Sequence, residues 1–136
     1  MVTKSDNKDF FYAIGRRKRA LAKTRLRANS QKFLVNNIDI HDYFKNNKLL
    51  INKLNKPFIT LDIPNNFNIE TLVSGGGKSS QIDAINLSVS KCLIQLNPDF
   101  KSTLKRADLL KRDPREKERK KFGLLKARKK RQFTKR

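Results

Sequence analysis

The sequence predicts a small α+β domain, a small sheet with helices on one face, followed by an extended basic C-terminal tail. Three observations predict it. Residues 20–27 alternate apolar and cationic side chains, and "NIETLVSGGGKSSQIDAINLSVSKCLIQL" reads as strand, glycine loop and amphipathic helix. Beyond Asp113-Pro114 apolar periodicity stops while cationic charge continues to Arg136. A chain of 136 residues has room for one modest core.

Each element follows from local pattern. In "YAIGRRKRALAKTRLRAN", Ala20, Ala22, Thr24 and Leu26 fall on one face and Leu21, Lys23, Arg25 and Arg27 on the other. That is the period of a half-buried strand with one cationic face, and Gly15 before it marks a bulge or bend. "KFLVNN" reads as a second strand ended by an Asn pair suited to a turn. "IDIHDYFKNNKLLINKLNKPF" reads as helix in pieces, broken before Pro57. Ile82, Ile85, Val89, Cys92, Leu93 and Leu96 recur at spacings of three and four, the stripe of an amphipathic helix. Ser80 and Asp83 suggest its capping box, and Asn97-Pro98 its end. A second short helix is expected from Lys101 to Leu110.

Charge divides the chain. Lys and Arg number 33 against 12 Asp and Glu, a formal net charge of +21. Residues 1–103 hold 17 bases and 8 acids and residues 104–136 hold 16 and 4, so the last quarter carries +12. This predicts a globular α+β body over 1–103 and a basic helix and tail over 104–136. Such an excess repels itself unless a polyanion neutralises it, and nucleic acid is the leading candidate. A membrane partner is not expected: there is no long apolar run and no basic amphipathic helix rich in aromatics. Lone Cys92 and lone His41 offer neither disulfide nor metal cluster, so no cofactor is expected. Cys92 reads as core filler and His41 as a turn residue. The N-terminus lacks a signal-peptide apolar run, so the chain is expected to work where it is made.

"GGGKSS" ends like a phosphate-binding P-loop, but Leu72 stands where that pattern requires glycine. A tight strand-to-helix turn explains the glycines. The preferred reading adds a contact from Lys78 and the loop amides to an RNA phosphate. "GRRKR" at 15–19 is a solvated charge run, a localisation patch or part of a cationic sheet face; the alternation through Lys23, Arg25 and Arg27 favours the last. The carboxylates are scattered and no nucleophile–base set emerges, so no enzyme is expected and no small-molecule substrate. In the tail, Phe122-Gly123-Leu124-Leu125 and Gln132-Phe133-Thr134 punctuate the cations in a way low-complexity segments do not. Its last dozen residues, extended, reach roughly 40 Å.

These stretches together resemble the small-subunit ribosomal protein nine family of bacteria and organelles. "YAIGRRKRALAKTRL", "GGGKSSQIDAI", "LNPDF" and above all "RDPREKERKKFGLLKARKKRQFTKR" carry the resemblance, which covers nearly the whole chain. It implies a fold like the second domain of ribosomal protein S-five, seated on the small-subunit head beside neighbouring head proteins. It implies a body that binds small-subunit rRNA and a tail that reaches the anticodon stem-loop of P-site tRNA. The expected rRNA contacts are Arg16, Arg17, Lys18, Arg19, Lys23, Arg25, Lys78, Arg112, Arg115, Arg119, Lys120, Lys121, Lys126 and Arg128. Those to tRNA are Lys129, Lys130, Arg131, Lys135 and Arg136. The sequence departs from the family pattern at Ser80, Ile82 and Asn86. Asp83 agrees with plastid forms and, with the Asn-, Lys- and Ile-rich composition, points to a chloroplast ribosome over a bacterial cytoplasm. The alternatives from other classes are a P-loop-like nucleotide-binding enzyme and a free basic protein with a localisation signal.

Overall fold

The computed structural model describes residues 10–28 and 31–135. Strands β1 (Phe11–Arg17) and β2 (Ala20–Ala28) form a hairpin, with Arg17 opposite Ala20 and only Lys18 and Arg19 in the turn. Lys18 takes φ 49°, as the tight turns matched to strand twist require. Strands β3 (Lys32–Val35) and β4 (Ile38–Asp39) form a second hairpin, and both Asn36 and Asn37 have positive φ. The Asn pair thus does what its chemistry suits it for. Asn36 does more: its side-chain amide donates to Val73 O and accepts from Val73 N, so it extends the ladder beyond the strand end.

Three short helices follow, α1 (Ile40–Tyr43), α2 (Lys48–Leu54) and α3 (Lys56–Leu61). The expected break before Pro57 falls at Asn55, with Pro57 in the first turn of α3 where its missing N–H costs nothing. His41 lies inside α1 and not in a turn. Strand β5 (Phe67–Ser74) then enters the middle of the sheet, antiparallel to β2 and parallel to β3, giving the order β1-β2-β5-β3-β4.

Helix α4 (Lys78–Leu96) lies across β1 and β2. Ile82, Ile85, Val89, Cys92 and Leu93 meet Ala13, Ala22, Leu26 and Ile69 from the covered sheet face. Each fully buried Leu or Ile contributes about 1.5–3 kcal/mol relative to exposure. The small residues facing α4 let it approach closely. A Cβ on Gly15 would lie 1.9 Å from Ala84 O, so this glycine marks helix–strand contact and not the expected bulge. The expected capping box is also corrected. Gly77 is the N-cap without a side-chain bond, Ser80 is buried inside the first turns, and Asp83 is turned to Arg17.

Helix α5 (Phe100–Arg106) packs on α3 and α4, with Leu104 buried and Leu109 just beyond it buried too. It starts one residue earlier than expected and stops four residues sooner. It also spans residue 103, so core packing runs on to Leu109. After Arg106 the described residues contain neither helix nor strand.

Candidate nucleic-acid interface

The uncovered sheet face carries alternate residues of the hairpin strands. Tyr12, Arg25 and Glu70 stand in one row across β1, β2 and β5, and Ile14, Lys23 and Leu72 in the next. Arg16 lies beyond them opposite Leu21. Tyr12, Arg16, Lys23, Arg25 and Leu72 are exposed. The Arg25 and Arg27 guanidinium groups sit 5.5 and 5.8 Å from the centroid of the Phe10 ring, and Arg27 also pairs with Glu70 at 3.7 Å. Cations held beside exposed aromatic and aliphatic groups can take both a phosphate and a base.

The "GRRKR" cluster does not stay together. The hairpin turn sends Arg16 to the open face and Lys18 and Arg19 to the tip, while Arg17 lies on the α4 side with Ala13 and Gly15. Period-2 counting back from Ala20 through a two-residue turn gives that parity, and the cluster had hidden it. Arg17 is consequently committed within the chain. Its Nη2 meets Asp113 Oδ2 at 3.0 Å, its Nη1 donates to Arg115 O at 3.0 Å, and its Nε lies 3.6 Å from Asp83 Oδ2. Arg19 Nε donates to Glu116 Oε1 at 3.0 Å. The hairpin therefore grips the root of the tail.

The glycine loop touches this same hairpin. A Cβ on Gly75, which has φ +69°, would lie 2.4 Å from Arg19 O, so close approach and left-handed backbone both demand glycine there. Lys78 Nζ sits 3.3 Å from the centroid of the Tyr43 ring and donates to Tyr43 O at 3.2 Å. In this arrangement the lysine is engaged by an aromatic ring and a carbonyl rather than held over the loop amides.

From Asp113 onward each acid of the tail is paired with a cation of the chain. Asp113 accepts from Arg115 through Nε, Nη2 and the backbone N–H, and these bonds, with Arg17 behind them, hold its carboxyl well below the usual carboxylate range. Glu118 accepts from Lys121 Nζ at 2.6 Å and Arg128 Nε at 2.9 Å, which likewise lowers its pKa. Arg112, Arg115, Arg119, Lys120, Lys121, Lys126, Arg128, Lys129, Lys130, Arg131 and Lys135 are all exposed. Arg136 lies outside the described residues. A cleft of about 360 Å³ at the tail root adds cations that sequence reasoning had passed over: Lys53, Lys56 and Lys111 line it with Arg16, Arg17 and Asn86, beside the carboxylates of Asp83, Asp108 and Asp113. These lysines come from three separate segments, and only the fold brings them together. Asn86, one of the departures from the family pattern, is buried and donates to Lys53 O at 2.8 Å.

Burial pushes the Cys92 thiol up to about 12, far from a reactive thiolate. Among the described residues no group of His, Cys, Asp and Glu could hold a metal ion, and no helix is long and apolar enough to cross a membrane. A compact α+β body with a cationic open face and an exposed basic tail has the surface of a protein that binds a polyanion.

Residues 15–136 match the family described as "Ribosomal protein S9/S16". The small ribosomal subunit protein uS9 of Mycoplasma genitalium is 44% identical over 132 residues, covering 96% of this chain and 99% of that protein. The protein of the same name from Mycoplasma pneumoniae is 44% identical over 131 residues, covering 95% and 98%. The chain belongs to the ribosomal protein S9/S16 family, as the motifs led us to expect. The expected plastid compartment is corrected by the same comparison, because these relatives are bacterial. The signals behind it had other causes. An Asn-, Lys- and Ile-rich composition fits any AT-rich genome, and Asp83 has a structural task beside Arg17.

Proposed function

We propose that this protein is a structural constituent of the head of the bacterial small ribosomal subunit, binding its rRNA through the cationic sheet face, the tail-root cleft and the tail. Both named relatives are small-subunit proteins that align over nearly their whole length, which supports the assignment. The observation that carries it is the state of the tail. Twelve of its cations, from Arg112 to Lys135, are exposed, while Asp113, Glu116 and Glu118 are each paired with an arginine or lysine of the chain. Charge so concentrated calls for a polyanion that wraps the segment, and each phosphate neutralised releases condensed counterion.

Within that role the body reaches to about Leu109 and the tail beyond it carries the longer-range contacts. Arg16, Lys18, Lys23, Arg25, Arg112, Arg119, Lys120 and Lys126 meet rRNA directly. Arg115, Lys121 and Arg128 keep spare donors for phosphate beside their carboxylate partners. Arg17, Arg19 and Lys78 serve RNA binding from behind, by fixing the tail root and the loop. Lys129, Lys130, Arg131, Lys135 and Arg136 approach the anticodon stem-loop of P-site tRNA, reading backbone charge without base identity. Neighbouring head proteins complete the surroundings.

The test is removal of Lys135 and Arg136. Subunits carrying the truncated chain are expected to assemble normally and to lose P-site tRNA faster, in a filter-retention assay across a salt series. Equal tRNA retention by truncated and intact subunits at every salt concentration overturns the tail's tRNA role.

A further inference from the structure

We infer that Phe122 is a base-stacking site, presented to an unpaired rRNA nucleotide by a preformed loop over residues 118–129; the inference rests on the RNA-binding role proposed above. The Phe122 ring is fully exposed, at 105% of its reference area, as is Phe133 further along the tail, whereas the five phenylalanines between residues 33 and 100 are buried or half-buried. Exposing a phenylalanine forgoes about 1.5–3 kcal/mol of burial, which a partner outside the chain would recover.

The loop is built to hold the ring out. Gly123 turns the backbone at φ +77°, and Leu124 N–H donates to Lys121 O. Leu125 N–H donates to Lys129 O at 2.8 Å, closing the far side. Glu118 then ties both limbs, bonding Lys121 on one and Arg128 on the other. The acid that would repel a phosphate is thereby paired inside the loop. Arg119, Lys120 and Lys126 flank the ring in the chain, are exposed, and make no ion pair among the described residues.

That charge decides between partners. A protein pocket for Phe122 would have to absorb several cations at its rim, whereas an RNA loop offers a base face and phosphates together. Aromatic stacking is sequence-tolerant, since every base has a π-face, and it does not depend on counterion release. A stacking residue and a phosphate-binding residue therefore leave different signatures in a salt titration.

The experiment measures binding of the full chain to an in vitro transcript of small-subunit rRNA by filter retention at several salt concentrations. Phe122→Ala is expected to weaken binding roughly 5- to 150-fold at each salt concentration, with the slope of log affinity against log salt unchanged. Phe122→Trp is expected to bind within a few-fold of the wild type. Lys120→Ala serves as the contrast and lowers the slope by about 0.7–0.9. Wild-type affinity in Phe122→Ala overturns the stacking site, even if that variant loses a protein neighbour in particles. A loss that Phe122→Trp fails to restore overturns it too. If the wild type shows no salt-dependent binding at all, the RNA-binding role itself has failed, which is a separate result.

Discussion

The buried hydroxyls of Thr71, Thr24 and Ser88 form a relay whose direction can be worked out from proton counting. Ser88 Oγ donates to Ile85 O at 2.8 Å, which uses its one hydrogen. Thr24 must therefore donate across the 2.6 Å contact to Ser88, and Thr71 across the 3.1 Å contact to Thr24. Thr24→Val strands the Thr71 hydrogen and is expected to cost about 1–3 kcal/mol in chemical denaturation. Thr71→Val removes only an acceptor's optional partner and is expected to cost less than Thr24→Val; the reverse order would contradict the relay. Gly15 is the steric counterpart on the same strand-helix contact. Gly15→Ala should destabilise by about 3 kcal/mol, because the blocking atoms are backbone and cannot swing aside. Gly77→Ser, where a Cβ meets nothing within 4 Å, is the tolerated control. Cys92 supplies the pH test. Its folded pKa is raised from 9.0 to about 12, so the unfolded chain ionises first and stability falls between those values. Compared in urea melts, Cys92→Ala should lose less stability than the wild type between pH 9.0 and pH 10.5.

At the scale of elements, the β1–β2 hairpin does two things at once: one strand face holds its cations exposed on the open side of the sheet, and the other holds the tail through Arg17. The two tasks explain why four consecutive basic residues, Arg16 to Arg19, are not equivalent. Arg17→Ala should free the tail root, seen as faster tryptic cleavage at Lys111 and Arg112 with no faster cleavage within the body. Arg17→Lys should rescue little, since one ammonium cannot serve Asp113, Asp83 and the Arg115 carbonyl together. Acid should open the same latch. Asp113 has a depressed folded pKa, so its stabilising contribution is present above the ordinary carboxylate range, about 4, and is lost as pH falls below it. Protection of the root at pH 5 and its loss well below pH 4 is the expected pattern. Which elements were legible follows from where their information lies. The strand alternation at 20–27, the Asn turn, the break at Pro57 and the apolar stripe of α4 are set by local periodicity and turn chemistry. The function of Gly15 was not legible, because it depends on how closely α4 meets the hairpin, a contact between segments some 70 residues apart in the chain.

For the whole molecule, salt acts on two equilibria in opposite directions, and this follows from how the +21 charge is distributed. The balance between body and tail was readable from composition, since net charge is a sum that folding does not alter. The cleft of Lys53, Lys56 and Lys111 was not, because three separate segments converge there only once α2, α3 and the tail root are packed. In the isolated protein these cations repel one another, so added salt screens the repulsion and should raise the melting temperature. Between 50 and 500 mM sodium chloride a gain of about 1 kcal/mol is expected, or about 4 °C for a domain of this size. RNA affinity must move the other way, because each neutralised phosphate releases counterion and salt opposes that release. A chain lacking residues 112–136 should show the smaller response in both measurements: less stabilisation by salt, since much of the repelling charge is gone, and a shallower loss of rRNA affinity. Unchanged salt slopes for that truncation in both assays would mean that the tail neither strains the free protein nor anchors the bound one.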